Sequence, residues 1–211
     1  MDYGYAILIG YCLGCVNPAY FFAKAKGFDI RTRGTGNCGA SNAKVTMGWK
    51  YGLFCAIYDA LKAGASMLII HYIFQGNEAS QVLAGVFAVI GHCFPFYLRF
   101  KGGKGFASFM GMACILNWKY FLCMLIIGIL LTILTNWIVS ATFSAIITFP
   151  VFVYYQHNPK ILSLIICIAS IVILYKHRVN IYKFIRKREI GLNGKYVGIP
   201  FIKDNKYILE K

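Results

Sequence analysis

Long apolar runs alternate with short polar segments along this chain. Polar borders separate seven apolar runs, at residues 3–23, 51–74, 79–98, 106–117, 120–138, 140–156 and 161–175. A helix of about 20 apolar residues crosses the hydrocarbon core of a bilayer. The pattern therefore predicts an all-α integral membrane protein in which some of the spans are short.

The region 106–138 determines how many spans there are. Its only polar break is the tripeptide 117–119. As one helix it would be roughly 50 Å long at 1.5 Å per residue, which is too long for a hydrocarbon core of roughly 30 Å. If the region forms two helices, both of them are short, and the first is the shorter one.

The distribution of basic residues favours two helices there. Of 22 Lys and Arg residues, six lie in loop 24–50, three in loop 99–105 and ten in the segment 176–211. These regions share one side of the membrane only if 106–138 crosses it twice. Because basic loops stay in the cytoplasm, we predict seven transmembrane helices, with the N-terminus outside and the C-terminus cytoplasmic.

Composition supports the same interpretation. The chain is 59% hydrophobic and 14% charged, and a soluble domain of 211 residues could not bury that much apolar surface. The net charge of +15 would suggest nucleic acid as the partner of a soluble protein. In a membrane protein, basic loops that stay in the cytoplasm explain a positive net charge, so we predict no nucleic-acid partner.

The predicted organisation is one transmembrane domain over 1–189, followed by a cytoplasmic tail over 190–211. The first fifteen residues lack a basic start and a cleavage site, so they are interpreted as a retained span. Segment 178–188 mixes apolar and basic residues, which is typical of a helix on an anionic membrane surface. The eight cysteines are interpreted as small apolar side chains rather than as ligands of a metal.

Two charged residues interrupt the second apolar run. Asp59 and Lys62 are three residues apart, so on a helix they share a face and can pair. Charges inside a membrane are costly and seldom face lipid. Two interpretations stay open at this stage, a purely structural pair and a pair that supports a functional site.

Three polar segments are predicted to face the cytoplasm together: 34–42 (GTGNCGASN), 101–108 (KGGKGFAS) and 177–180 (HRVN). Glycine-rich backbone can converge its N–H groups on a phosphate, and a following helix adds its positive end. The chemistry offered is that of cations, amides and hydroxyls. It suits an anionic or phosphorylated substrate that is already activated, which the protein positions and whose charge it stabilises.

In this order, these segments resemble the three cytoplasmic motifs of the bacterial membrane glycerol-3-phosphate acyltransferase family PlsY, over about residues 10–189. The resemblance implies a multi-pass enzyme of the bacterial cell membrane. It implies transfer of a fatty acyl group from acyl phosphate to the 1-hydroxyl of sn-glycerol 3-phosphate, giving lysophosphatidic acid and phosphate. No metal or cofactor is implied. The resemblance also implies membrane lipid as a partner, and it suggests contact with the enzyme that produces acyl phosphate.

The resemblance also implies roles for individual residues. The residues matching catalytic positions are Thr35 (in place of serine), Lys104, His177 and Asn180. Those matching substrate-binding positions are Gly36, Asn37, Gly39, Asn42, Gly102, Gly103, Gly105 and Arg178. Whether His177 acts as a base or as a phosphate ligand stays open.

Two departures from the family pattern stand out. Val45 occupies a position where the family has an arginine, and Lys187 replaces a usual glycine. Losing one charge-assisted contact to phosphate costs about 1.5–3 kcal/mol. This favours, as an alternative, a degenerate paralogue that binds phospholipid precursors or partners without turning them over. A transporter of organic anions is a weaker alternative, because no inverted repeat is visible.

Overall fold

The computed structural model describes residues 2–156, 160–191 and 196–198. The α-helices are α1 (Asp2–Cys15), α2 (Pro18–Ala25), α3 (Ala40–Met47), α4 (Trp49–Tyr72), α5 (Glu78–Cys93), α6 (Phe106–Leu116), α7 (Trp118–Thr135), α8 (Ser140–Gln156), α9 (Ile161–Lys176) and α10 (Arg178–Ile185). Short 3-10 turns span Ile30–Thr32 and Phe96–Leu98. The strands β1 (Glu189–Ile190) and β2 (Tyr196–Val197) pair antiparallel.

Each predicted apolar run is mainly helical, with breaks at residues 16–17 and 94–95, and this confirms the all-α membrane class. Four helical stretches are long and apolar enough to cross a bilayer, namely Tyr3–Ala25, Trp49–Tyr72, Glu78–Leu98 and Trp118–Thr135. The pair α9 and α10, bent by 51°, would be a fifth only if the two helices are counted together as one span. Since α6 has 11 residues and α8 has 17, the count of seven spans and the orientation of the termini stay predictions.

The break within 106–138 confirms two helices in place of one long helix. Asn117 leaves the helical conformation with φ −158° and ψ 99°, and its side chain accepts a hydrogen bond from the N–H of Tyr120 at 2.9 Å. Asparagine is favoured at this position because its side chain supplies the acceptor that the first turn of a helix lacks. The polar break seen in the sequence is therefore the N-cap of α7.

Small residues allow the helices to approach closely. A Cβ added at Gly14 of α1 would lie 2.2 Å from the carbonyl oxygen of Ala88 in α5. A Cβ at Gly111 of α6 would lie 2.0 Å from that of Ala60 in α4. Packing of this kind is characteristic of helices in membranes, where no difference in hydrophobicity drives helices together.

The outer surface of the bundle is apolar. On α7, Ile126 and Ile133 are each 60% exposed and Leu134 is 80% exposed. A soluble protein rarely leaves a continuous apolar face open to water, whereas lipid solvates it well. The arrangement thus supports a multi-pass membrane protein.

The three predicted polar segments meet at one end of the bundle, called here the motif end. Just before the first segment, the Arg31 guanidinium donates to the Leu98 carbonyl, which lies just before the second segment, at 2.9 Å. At the other flank, the Lys176 ammonium at the end of α9 donates to the Cys93 carbonyl at 3.0 Å. The predicted surface helix is α10, and its contact with a membrane stays a prediction. Most of the predicted tail, 190–211, lies outside the described residues.

Candidate active site

The KGGKG loop, residues 101–105, is folded against the end of α5. The N–H of Gly103 donates to the His92 carbonyl at 3.0 Å, and that of Gly102 donates to the Cys93 carbonyl at 3.2 Å. A Cβ at Gly102 would lie 2.1 Å from the His92 carbonyl oxygen. Gly105 has φ +88°, a left-handed conformation that glycine adopts easily, and α6 begins directly after it.

A phosphate cradle is predicted at the two central glycines, Gly102 and Gly103, and that role stays a prediction. Their N–H groups donate inward to α5, so they are occupied rather than directed at a ligand. Their role in the structure is to let the backbone pack closely against α5. The loop carries two lysines, the exposed Lys101 and the half-buried Lys104.

Lys104 belongs to a hydrogen-bonded chain that joins the second and third segments. Its ammonium donates to the Asn180 side-chain oxygen at 2.5 Å, and the Asn180 amide donates to the Glu189 carboxylate at 2.5 Å. Burial lowers the pKa of Lys104, while the Glu189 charge opposes that change. Because an ammonium only donates and a carboxylate only accepts, the chain fixes the orientation of the Asn180 amide between them.

His177 lies buried between α9 and α10, with 4% of its surface exposed. Its Nδ1 is 2.9 Å from the Ile173 carbonyl oxygen. A carbonyl oxygen can only accept, so Nδ1 carries the proton and Nε2 of the neutral ring is an acceptor. Burial, together with the Lys104 and Lys176 charges, lowers the pKa of His177 to about 4, although the hydrogen bond to the Ile173 carbonyl opposes that change. The imidazole is therefore neutral near pH 7.

The loop 34–42 is organised by one side chain, that of Asn42. Its amide nitrogen lies 2.9 Å from the carbonyl oxygens of Ile30 and Asn37, and 3.1 Å from that of Arg33. Its oxygen accepts from the N–H of Thr35 at 2.8 Å. Asn42 is fully buried with both polar atoms engaged, and the substrate-binding role that the resemblance implies for it stays a prediction. In the structure it shapes the loop.

The other predicted residues of this loop are placed nearer the surface. Thr35 and Gly36 are exposed and Asn37 is half-buried, whereas Gly39 is buried at the start of α3. Within the described part of the chain, no hydrogen bond joins Thr35 to Lys104 or His177. The loop reaches the second segment elsewhere, since the Cys38 thiol donates to the Lys101 carbonyl at 3.6 Å.

Comparison with known proteins agrees with this arrangement. A family model described as glycerol-3-phosphate acyltransferase matches residues 4–187. The chain is 32% identical over 203 residues to glycerol-3-phosphate acyltransferase 1 of Oceanobacillus iheyensis, covering 93% of this chain and 98% of that one. It is 33% identical over 187 residues to the Bacillus subtilis enzyme, covering 87% of this chain and 94% of that one. The chain belongs to the glycerol-3-phosphate acyltransferase family.

Solved structures extend the comparison to the fold. The crystal structure of PlsY (YgiH), an integral membrane glycerol 3-phosphate acyltransferase in its glycerol 3-phosphate form, is 27% identical in sequence. It matches with a TM-score of 0.84, covering 91% of this chain and 96% of that one. These likenesses confirm the predicted family and a multi-pass protein of the bacterial cell membrane.

The departures from the acyltransferase family pattern can now be placed in the structure. Val45 lies on α3 with 67% of its surface exposed. Arg33, a cation of the same loop region, stacks over the Phe28 ring at 4.2 Å. The Lys44 stem packs on α4, where a Cβ at Gly52 would be 2.6 Å from the Lys44 Cβ. Both side chains are thus engaged in packing contacts of their own.

Arg178 lies in the third segment, and Lys187 follows α10. Arg178 is exposed, stacks over the Tyr175 ring at 4.2 Å and donates to the Tyr175 carbonyl at 3.1 Å, so it folds back along α9. Lys187 has φ +51°, which explains why glycine is usual there. A residue with a Cβ is strained in that conformation.

Sequence reasoning missed three contributors at the motif end. Glu189 completes the hydrogen-bonded chain through Asn180 to Lys104. Lys176 directly precedes His177. A basic residue in the last turn of a helix next to a polar segment was the feature of the sequence that could have indicated its place at the motif end. Trp137, in the turn before α8, stacks on Phe184 of α10 at 4.0 Å. Nothing in its apolar surroundings indicated that this turn reaches the site.

Proposed function

We propose that this protein transfers a fatty acyl group from acyl phosphate to the 1-hydroxyl of sn-glycerol 3-phosphate, giving lysophosphatidic acid and inorganic phosphate. The observation that carries the proposal is the chain from Lys104 through Asn180 to Glu189 at one end of a membrane helix bundle. Family membership supports it, as do the related PlsY structures, described as the glycerol 3-phosphate and lysophosphatidic acid forms.

In this reaction the hydroxyl oxygen attacks the acyl carbon, and the bond from that carbon to the phosphate oxygen breaks. Negative charge grows on the departing phosphate, where the Lys104 ammonium stabilises it. A preorganised donor of this kind is effective because it needs no rearrangement at the moment of reaction. Asn180 and Glu189 provide that preorganisation by holding the ammonium in one place.

The neutral His177 is assigned to the attacking hydroxyl. Its Nε2 can accept a hydrogen bond, which orients the hydroxyl toward the acyl carbon, whereas it cannot donate one to a phosphate oxygen in this tautomer. With a pKa of about 4, the ring is a weak base. A departing phosphate, with a second pKa of about 6 in phosphate esters, is the better final acceptor of the proton.

Membrane placement is part of the proposal. The acyl donor is soluble in lipid and the acceptor in water, so the reaction needs a site at the interface. We propose seven spans with an outside N-terminus, because that arrangement brings the motif end and most basic residues to the cytoplasm. In a background without native cysteines, cysteines placed at Lys101 and Lys183 should both react from the cytoplasmic side. Labelling from opposite sides would exclude the seven-span arrangement.

Phosphate release by purified protein tests the activity. Palmitoyl phosphate should release phosphate rapidly only when glycerol 3-phosphate is added, and lysophosphatidic acid should appear in equal amount. Protein that binds glycerol 3-phosphate but gives no product would support the alternative, a non-catalytic paralogue. The exposed Val45 favours that alternative, because no guanidinium stands at its position.

A further inference from the structure

A cluster of three buried polar side chains lies directly beneath the KGGKG loop. Asp59 and Lys62 come from α4 and His92 from α5, and all are at most 5% exposed. The Lys62 ammonium lies 2.7 Å from Asp59 Oδ1 and 3.0 Å from His92 Nδ1. It also donates to the Val16 carbonyl at 2.7 Å, where the backbone breaks between α1 and α2.

The hydrogen-bond inventory of this cluster balances. An ammonium has three N–H donors, and Lys62 has three acceptors: a carboxylate oxygen, a carbonyl oxygen and an imidazole nitrogen. His92 Nδ1 also lies 3.2 Å from Asp59 Oδ1, so it accepts from Lys62 in one tautomer and donates to Asp59 in the other. In either tautomer the His92 ring is held by the pair of Asp59 and Lys62.

His92 connects this cluster to the loop in two ways. Its carbonyl accepts the N–H of Gly103 at 3.0 Å. The Nε2 edge of its ring packs against the same residue, because a Cβ at Gly103 would lie 1.9 Å from that nitrogen. Gly103 immediately precedes Lys104. A change in the tilt of the His92 ring would therefore shift the backbone that carries the Lys104 ammonium.

Stability alone is a weak reason for such a cluster. Replacing a buried ion pair by well-packed neutral residues is often neutral or stabilising, because taking charges out of water is costly. Within a membrane the cost of ionisable residues is higher still. An ion pair held in a unique geometry does, however, fix the position of whatever it contacts.

We propose that Asp59, Lys62 and His92 form a positioning network that sets the KGGKG loop, and through it Lys104, for phosphate stabilisation. The network ties the break between α1 and α2, the middle of α4 and the end of α5 to one loop. The proposal rests on the function proposed above for what Lys104 does, whereas the placement of the loop can be measured without it.

Hydrogen–deuterium exchange of the full-length protein in detergent micelles tests the placement. The variant Asp59→Asn/Lys62→Met keeps the size and net charge of the pair but removes the ammonium. The amides of Gly102 and Gly103 should exchange faster in it than in the wild type. Ser163→Ala is the matched control, since it removes a different buried hydrogen bond, to the Pro150 carbonyl, and should leave loop exchange unchanged.

A second variant keeps the proposal testable if the first variant misfolds. His92→Asn keeps an acceptor near the position of Nδ1 for Lys62 but removes the ring edge that packs on Gly103. It too should accelerate exchange in the loop. Loop exchange equal to that of the wild type in both variants would overturn the proposal.

Steady-state kinetics separate positioning from a structural role. Misplacing a catalytic group by about 1 Å can cost on the order of a hundredfold, so kcat per folded protein should fall by that order while the KM for glycerol 3-phosphate changes much less. A structural pair would instead lower the melting temperature with kcat retained, and that result would also overturn the proposal. If wild-type protein is inactive, the proposed function fails, and the exchange experiment still decides the network.

Discussion

The two glycine-rich loops at the motif end look alike in sequence but are held in different ways. Loop 34–42 is organised mainly from within, by the single amide of Asn42 bonded to four backbone groups nearby. Loop 101–105 is organised from outside, by carbonyls and a ring of α5 and by the Lys176 ammonium, which donates to the Gly102 carbonyl at 3.5 Å. The first can form once its own segment folds, whereas the second requires the helices to be assembled.

The chemistry assigned to the second loop gives the largest expected effect. Lys104→Met should lower kcat on the order of a hundredfold, because one preorganised donor to the developing phosphate charge is lost. The measurement is phosphate release from palmitoyl phosphate in the presence of glycerol 3-phosphate. Lys119→Met, a change of an exposed lysine at the start of α7, is the control. Near-normal turnover in Lys104→Met would remove Lys104 from the site.

The external support of the second loop is tested at Gly103. Gly103→Ala should lower kcat on the order of ten- to a hundredfold, since its Cβ would lie 1.9 Å from a ring that has no room to retreat. Gly36→Ala in the first loop is the matched change. There the nearest atom is 3.3 Å away, and the main cost is a left-handed φ of +70°. Equal losses of kcat in the two variants would mean that the loops are not supported differently.

The internal support of the first loop is tested at Asn42. Asn42→Ala should destabilise the fold by about 1–3 kcal/mol for each carbonyl or N–H group left buried without a partner. Thermal unfolding followed by circular dichroism measures this loss. Exchange of loop 101–105 should stay as in the wild type, because its supports come from α5 and Lys176. Loosening of both loops together would show that they form one unit.

Val45, on α3, tests whether this part of the chain contacts the phosphate of glycerol 3-phosphate. If its position is a vacant phosphate contact, Val45→Arg should lower the KM for glycerol 3-phosphate by about tenfold, since a guanidinium binds phosphate through two hydrogen bonds. The KM for palmitoyl phosphate should change less. An unchanged or raised KM for glycerol 3-phosphate would indicate that another cation already holds this phosphate. Val45→Gln serves as a control of similar polarity without charge.

The smallest effect is expected at Lys187, which lies in neither loop. Its left-handed φ of +51° costs a residue with a side chain about 1–2 kcal/mol, so Lys187→Gly should stabilise the protein by roughly that amount. The melting temperature measures the gain. Lys183→Gly, within α10, is the contrasting change and should be destabilising, because glycine is unfavourable inside a helix. A loss of stability in Lys187→Gly would mean that its side chain makes a compensating contact.

Asn117 illustrates what could be predicted locally. Its polar side chain within 33 largely apolar residues predicted a break, and the break is present because an N-cap needs only neighbours along the chain. The pairing of Asp59 with Lys62 was likewise predicted from spacing on one helix and is confirmed at 2.7 Å. The third partner, His92, comes from another helix and was identified only by the structure.

By itself, the sequence determined the class of protein, the apolar helices, the break at Asn117 and three polar segments with the chemistry of phosphate recognition. These follow from hydropathy, helix periodicity and capping, which act over a few neighbouring residues. Only the tertiary structure decided that Asn42 shapes a loop, that the Gly102 and Gly103 amides face inward and that Glu189 completes the chain to Lys104. The physical reason is that each depends on which buried donor finds which acceptor, and those partners are brought together only when the helices pack.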